Sequence, residues 1–599
     1  MSQLLRVAEN HHQCPFKCLP RDLRCLPKMA RAAVFMETGI FVPSKAVFCP
    51  LHFDGDMMTR ESIDQLPQFL SDSSSVPSSD ELLSLMHAMR KLAVTTPSTA
   101  VVFSDLSDER LLEFTGRTGD QFKQIMRIVG YEGTVLDPQT LGAYLTRLKC
   151  NSSQAFIASL LGLSQQTISR KVADARSALL PFVGAALDTG RSRHVILDNT
   201  TSVARTLCRV SADVAITIWD GTYLYHQKSG NHEFQRLTFG MLKKRNYQKP
   251  MVICTTNGKI VDIPAPLWKA NQSDSDIMRD IMKGDWFKAT FKSGDVFILD
   301  RGFVTVKAQL EAKGFVVVMP HFLEPGQRQF TAEQANGSRI CTKMRWVVEA
   351  RNRSLKKYKF FQGTICNMNT LHMLEDLRFI AACINMFEPV LVTDSDDCSV
   401  AERILASQSR PNRLGELVKA KGLTRRKNGF CAIESVSPDI PSMDRFHLSR
   451  LGGSYQLGLA ISYYGDHLWR DMATTGIEVA QLDPSGVSCV SFQDLIDGDM
   501  HVSQPVLVRS KLQSRHSSGT EYMVYVLFDS DKEGHHCVAE YCCSCKSGLR
   551  TTDCCAHTLC LIWYLTYACH LSEITTVGDY LRDHFPASVV TTAFSLSDL

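Results

Sequence analysis

Two short apolar runs that each end in aspartate constrain this chain more than anything else in it. In "AITIWDGTYLYH" the run stops at Asp220, and in "GDVFILDRGF" it stops at Asp300. Runs of this length, partly β-branched, predict buried strands, and a carboxylate ending such a strand is pushed out at the sheet edge. A third acid, Glu349, lies in "MRWVVEARNRSLKK", where Trp346, Glu349, Asn352 and Lys356 recur at spacings that share one helical face. Two strand ends and one helix can bring these carboxylates together only in the folded protein. Hard divalent cations such as Mg2+ favour carboxylate oxygens, and two of them about 4 Å apart can clamp both ends of an in-line phosphoryl displacement. The three acids therefore point to a metal-dependent enzyme acting on DNA phosphodiesters.

The strings "WDGT", "ILDRGF" and "RWVVEARNRSLK", in that order and with their acids 80 and then 49 residues apart, resemble the DDE endonuclease domain of Harbinger-like eukaryotic transposases. The resemblance covers residues 185–395. It implies a ribonuclease H-like fold and a catalytic role for Asp220, Asp300 and Glu349 as ligands of Mg2+ or Mn2+. It further implies double-stranded DNA, such as transposon ends, as partner, strand transfer as a second step, and a nuclear location. Asp198, in "HVILDNTTS", is a rival strand-end acid, but "WDGT" carries the family pattern and favours Asp220. Asp262, Asp274 and Asp276 are near enough in sequence to serve as supporting groups. The basic strings "KKRN" and "RNRSLKKYK" flank the acids and offer cations to substrate phosphates.

A chain of 599 residues exceeds what one hydrophobic core supports, so several domains are expected. Strands interleaved with helices predict a multidomain α/β protein: a ribonuclease H-like nuclease core, a helix-turn-helix ahead of it and small zinc-binding modules at both ends. The expected division is a Cys/His module at 1–60, a linker and helical region at 61–140, a helix-turn-helix at 141–180 and the nuclease at 185–395. An exposed linker at 396–450, a zinc-finger domain at 451–575 and a tail at 576–599 would follow. No apolar run reaches the roughly 20 residues of a membrane span, and the N-terminus lacks an apolar signal core. The net charge of +4 is small, so any DNA affinity must come from local basic clusters.

The 21 cysteines concentrate at the two ends, and without a signal peptide this favours zinc over disulfides. Near the start, Cys14 and Cys18 form one close pair and Cys49 and His52 another, the usual presentation of a tetrahedral zinc ligand set. Cys25, His11 and His12 compete for the same role. Near the end, "YCCSCKSGLRTTDCCAHTLCLIWYL" carries Cys543 and Cys545, then Cys555 and His557. This Cys-x-Cys…Cys-x-His spacing is similar to a SWIM-type zinc finger, which implies a second structural Zn2+ and binding of DNA or protein. Cys542 and Cys554 are alternative ligands.

Between the ends, "SDSSSVPSS" at 71–79 reads as a polar linker. Asp80 then caps a helix with Leu82, Leu83, Met86 and Met89 along one side, which suits core packing or a homo-oligomer contact. In "FIASLLGLSQQTISRKVADAR" helices break at Gly162; Phe156, Ile157, Leu160 and Leu161 form the apolar side of the first, and Ile168 and Val172 face inward from the second. Gln165, Gln166, Thr167, Ser169, Arg170 and Lys171 are left outward, types that address base edges and phosphates in a major groove. The string is similar to the helix-turn-helix preceding the nuclease in the same transposases. Arg425, Arg426 and Lys427 fit a nuclear import signal.

Overall fold

A computed structural model describes residues 5–574 except 9–11, 19–21, 71–76, 96–99, 132, 134–135, 394–397, 426–427, 465–475, 483–489, 492–493, 495–501, 515–516 and 572–573. Most of the polar linker at 71–79, two residues of the basic triplet at 425–427 and all of the tail at 576–599 lie outside the described residues. No helix among the described residues is long and apolar enough to cross a membrane. The chain forms two compact units. One comprises residues 1–122, 136–147 and 152–175, and the other comprises 123–135, 148–151 and 176–599.

The first unit opens with a small core around helix α1 (Lys28–Thr38), whose Ala30 and Val34 pack with Cys14, Phe48, Cys49 and Leu66. Helix α2 (Ser79–Thr95) turns Leu85 and Ala88 against Ala32 and Phe41. Leu82, Leu83 and Met86, expected on the packed side, are exposed instead. Helices α3 (Pro138–Cys150), α4 (Gln154–Leu161) and α5 (Gln165–Ala178) follow. Gly162 closes α4 in the left-handed region at φ 63°, a conformation that costs glycine nothing, and Ser164 caps α5 by accepting from the Thr167 amide. Ile157, Leu161, Ile168 and Val172 are buried as the periodicity requires, but Phe156 is exposed.

The second unit contains two five-stranded sheets. In the first, β1 (Ile216–Gly221), β2 (Met251–Thr255), β3 (Ile260–Asp262), β4 (Val296–Ile298) and β5 (Val316–Val318) lie in the order β3-β2-β1-β4-β5. β2 is antiparallel to β1 and β3, while β1, β4 and β5 run parallel. Asn257 and Gly258 turn the β2–β3 hairpin, with Gly258 at φ +94°. The sheet's core is aromatic: fully buried Trp219 packs against Phe287, Phe291 and Phe297 and ties its indole N–H to Thr217 Oγ1. β5 is the edge strand, and Val316 is exposed. Helix α6 (Asp274–Lys283) covers one part of the sheet. Helix α7 (Ala332–Lys356), started by a Thr331–Gln334 capping box, buries Ile340, Met344, Val347 and Val348 along its sheet side.

After helix α8 (Met373–Phe387), the stretch 396–450 is not the exposed linker its charges predict. Helices α9 (Cys398–Gln408) and α10 (Arg413–Ala420) and strand β6 (Phe430–Ala432) are built into the unit, with Ala401, Leu414 and Leu423 fully buried. β6 leads a second sheet, in order β6-β7-β8-β9-β10, completed by β7 (Ile477–Ala480), β8 (Pro505–Ser514), β9 (Ser517–Asp529) and β10 (Val538–Cys543). Alternation along β8 and β9 sends Val508, Val524 and Val526 to one face and Leu507, Tyr525 and Leu527 to the other. The first face is covered by helix α11 (Ala556–Thr566), the second by Leu414 and Val418 of α10.

Candidate active site

Because β1 and β4 are parallel neighbours, residues leaving their C-terminal ends emerge at one edge of the sheet. Asp220 stands there at the end of β1 and Asp300 two residues past β4. Helix α7 crosses this edge and adds Glu349. A single atom gauges how closely they meet: Arg345 Nη2 lies 3.4 Å from Asp220, 3.9 Å from Asp300 and 3.7 Å from Glu349. All three acids singled out in the sequence are thus gathered within 4 Å of one guanidinium nitrogen. The helix face that achieves this is Arg345, Glu349, Asn352 and Lys356, not the one beginning at Trp346. One residue turns a helix by about 100°, and Trp346, 43% exposed, lines a separate cavity with Val203 and Leu207.

The electrostatics follow from this crowding. Asp220 is pushed up to about 7, first by burial and then by Asp300, Asp274 and Glu349, with Arg345 opposing. Asn352 steadies it with a 2.8 Å hydrogen bond from Nδ2 to Oδ2. Burial also lowers the Lys356 ammonium, an effect that Asp220 resists. A fourth carboxylate, which the sequence offered only as one of three supporting acids, belongs to the same group. Asp274, at the start of α6, pairs with Lys249 Nζ at 2.6 Å. A Cβ on Gly302 would lie 2.6 Å from Asp274 Oδ2 and 2.9 Å from Asp300 Oδ1, and one on Gly221 would lie 2.9 Å from Asp274 Oδ1. Glycine at both positions is what lets these oxygens approach the strand ends.

The other acids are elsewhere. Asp198 ends a helix, Arg193–Asp198, and pairs with His194 at 3.1 Å, so it is no strand-end rival. Asp262 is fully buried under Arg378 and Arg191, and Asp276 closes the capping box of α6. Of the flanking cations, Arg351 is buried and holds Gly258 O, Glu388 and Pro389 O, so it cannot reach a phosphate. Arg353 and the Lys243–Arg245 string are exposed, with Arg245 over the Tyr225 ring.

Two further groups of donors come together. Cys14, Cys18, Cys49 and His52 offer ligand atoms all within 4.8 Å of one another. His52 Nε2 lies 3.1 Å from Cys18 Sγ while its Nδ1 meets Ser62 Oγ at 2.8 Å, which fixes the ring's orientation. Cys25 is exposed and outside the group, and His11 lies outside the described residues. Cys543, Cys545, Cys555 and His557 form the second group, again within 4.8 Å. Cys543 ends β10 and Cys555 caps α11, accepting from the Thr558 amide. Hydrogen bonds from Cys543 and then Cys545 hold the Cys555 thiol well below its usual range, against its burial. Cys542, the other side of the β10 alternation, packs with Leu414 and Tyr525, and Cys554 bonds to Leu451 O.

Of the outward residues predicted on α5, Gln165, Gln166, Ser169 and Arg170 are exposed. Thr167 is partly covered and closes onto Ser164 Oγ. Lys171 is not free: it binds Asp137 at 3.2 Å and Thr140 at 2.9 Å.

Residues 219–385 match the family of DDE superfamily endonucleases, a stretch that spans Asp220, Asp300 and Glu349. No curated protein and no solved structure matches the chain. The chain therefore carries a DDE-type endonuclease domain, the catalytic part of transposase-like nucleases, whose substrate at the family level is DNA.

Proposed function

We propose that this protein is a Mg2+-dependent DNA endonuclease of the Harbinger-like transposase type, with Asp220, Asp300 and Glu349 as its catalytic acids. The observation that carries the reading is their convergence on one cationic point. The strand order β3-β2-β1-β4-β5 with β2 reversed supports a ribonuclease H-like core. The donor set suits the ion: hard carboxylate oxygens, one of them raised to about 7 by burial and by its carboxylate neighbours, which Arg345 offsets only in part. Mg2+ or Mn2+ held there supplies Lewis acidity, activating water and neutralising the leaving 3′ oxygen. The chain's own groups do the rest. Asn352 holds Asp220 in its rotamer, Lys249 holds Asp274 beside it, and Arg345 balances the acids and stands ready for the scissile phosphate. Strand transfer by the freed 3′ hydroxyl belongs to the same reading through the family resemblance.

The Cys14/Cys18/Cys49/His52 and Cys543/Cys545/Cys555/His557 groups suit Zn2+, whose preferred ligands are thiolates and imidazole in fours, and the second group fits a SWIM-type finger. Gln165, Gln166, Ser169 and Arg170 of α5 form the reading surface of a helix-turn-helix for double-stranded DNA, such as transposon ends. The nucleus is the compartment this activity requires.

One observation favours a second reading. Arg345 already supplies a positive charge among the acids, and a protein that kept it there would bind DNA without cutting, as a domesticated transposase does. Nicking of supercoiled plasmid with Mg2+ or Mn2+ separates the two. The wild type nicks and Asp300→Ala loses at least about a thousandfold, the scale of electrostatic transition-state stabilisation; a variant that cuts as well as wild type would remove the assignment. The pH profile adds a sign. Asp220 must give up a proton to hold a cation, so the affinity for Mg2+ falls as the pH drops below about 7, and Arg345→Met, which removes the lowering charge, starts that fall at a higher pH. Without a cation, the folded state keeps a proton on Asp220 that the unfolded chain gives up near 3.8, so this group's stability contribution is lost as pH rises through about 7.

A further inference from the structure

The C-terminal Cys/His module is folded onto the nuclease helix, and the two enclose a cleft beside Asp300. Gln329 Nε2 donates to the carbonyls of Cys543 and Cys545 at 2.6 and 2.8 Å, and the Phe330 amide donates to Lys546 O at 2.9 Å. One turn into α7, Asn336 exchanges hydrogen bonds with Thr551. Nearly buried Asp553 pairs with Arg339 at 2.6 Å, Lys343 at 3.3 Å and Arg550 at 2.8 Å. These contacts seat the segment 544–553 against the first half of α7.

The resulting cleft has a volume of about 510 Å³. Its walls carry five cations, Arg301, Arg339, Arg345, Lys546 and Arg550, against one acid, Asp300; Arg339 and Arg550 are paired to Asp553 and Arg345 to the three acids, which leaves Arg301 and Lys546 without an acidic partner among the described residues. Lys546 is exposed, with no acidic partner within 4 Å among the described residues. The cleft is also aromatic: Phe322 is 44% exposed, and the Arg301 guanidinium lies 5.4 Å from its ring and 5.9 Å from that of Phe330. A positive groove that offers a ring face for stacking is the chemistry of single-stranded nucleic acid sites.

We propose that this cleft is the subsite for an unpaired segment of one DNA strand next to the acids. Lys546 and Arg301 hold its phosphates, and Phe322 stacks one base. The volume falls within the roughly 300–1,000 Å³ of sites that enclose a small ligand, which suits one or two nucleotides of a frayed strand and not a duplex. The C-terminal module is then a wall of the catalytic cleft as well as a zinc-binding fold. The proposal rests on the nuclease reading for its DNA substrate, but it is tested by binding alone.

The experiment uses the full chain and fluorescence anisotropy without added divalent ion. The probes are a blunt duplex and the same duplex with a short single-stranded DNA tail. Lys546→Glu and Phe322→Ala each weaken binding of the tailed probe by about tenfold while the blunt probe changes less than about twofold. Lys546→Arg retains binding, and Lys511→Glu, an equal charge reversal on exposed β8, leaves both probes alone. Equal loss on both probes, no loss on either, or tighter binding of an RNA tail overturns the proposal. If the wild type fails to nick but discriminates the tail in this way, the nuclease reading falls and the subsite stands. If it nicks and the variants do not discriminate, the subsite alone falls.

Discussion

The two Cys/His groups share three thiols, one imidazole and the same compactness, yet they are embedded in opposite ways. The N-terminal group closes its own small core, in which His52 stacks on Phe16 at 4.0 Å and turns its second nitrogen to Ser62. The C-terminal group joins the end of a sheet to the start of an apolar helix, and the carbonyls of two of its cysteines are gripped by Gln329, two residues before the cap of α7. One set of donors can therefore support a self-contained module or brace the helix that carries Arg345 and Glu349. What decides is not the ligands but what the residues between them touch.

The sharpest way to break this contrast is to remove one thiolate from each group. Cys555→Ser takes away both a ligand and the cap of α11, so it should cost one zinc, lower the thermal midpoint of the second unit and reduce plasmid nicking on the order of 100-fold, since metal-binding energy is folding energy. Cys49→Ser should also cost one zinc but leave nicking within about threefold. Metal analysis and nicking on the same preparations make the comparison, and equal losses of nicking would show that the two modules are not embedded differently.

A smaller effect probes the contacts themselves. Asp553→Asn strips the shared carboxylate from Arg339, Lys343 and Arg550, leaving buried cations uncompensated, and should cost about 3 kcal/mol in urea unfolding. Its counterpart in the first unit is Glu81 of α2, which accepts from the Ser44 amide and hydroxyl at 2.8 and 2.7 Å. Those bonds and Arg31 hold its carboxyl below the usual range although burial acts the other way. Glu81→Gln keeps much of that geometry and should cost about 1 kcal/mol. Similar costs for the two substitutions would place the coupling in general packing and not in the buried ion cluster.

How much of this was legible in the sequence varied with the range of the interaction. The grouping of the Cys/His pairs was legible because their spacing is short and their chemistry narrow. Asp220, Asp300 and Glu349 were legible because strand ends and one helix face are local patterns. Arg345 was not, and Asp274 was offered only as one of three supporting acids, because what brings them to the site is the placement of α6 against Gly302 and the rotation of α7 on the sheet, and neither is written in neighbouring residues. "HVILD" misled because a short apolar run fits strand or helix, and the Ser192 cap with the His194–Asp198 pair decided for helix. The stretch 396–450 misled for a different reason. Its many charges read as surface, while buried apolar residues spread along it, among them Ala401, Leu414, Leu423 and Leu448, supply the burial that fixes it.

The smallest expected effect separates neighbours on α5 and tests whether the first unit acts through exposed groups where the second acts through buried ones. Arg170 is exposed, whereas Lys171 spends its charge on Asp137, whose carboxyl is kept low by Thr140 and Lys171 against its partial burial. Arg170→Met should weaken duplex binding a few-fold and flatten the dependence of affinity on salt by about 0.9, the change for one phosphate contact. Lys171→Met should leave that slope unchanged and cost only about 0.5 kcal/mol of stability, since the pair it breaks is half exposed and screened by water. Anisotropy titrations between low and physiological salt read the slopes. If Lys171→Met flattened the slope as much as Arg170→Met does, the lysine would have to leave Asp137 on binding, and the DNA-facing surface of α5 would extend one residue further round the helix than its unbound geometry allows.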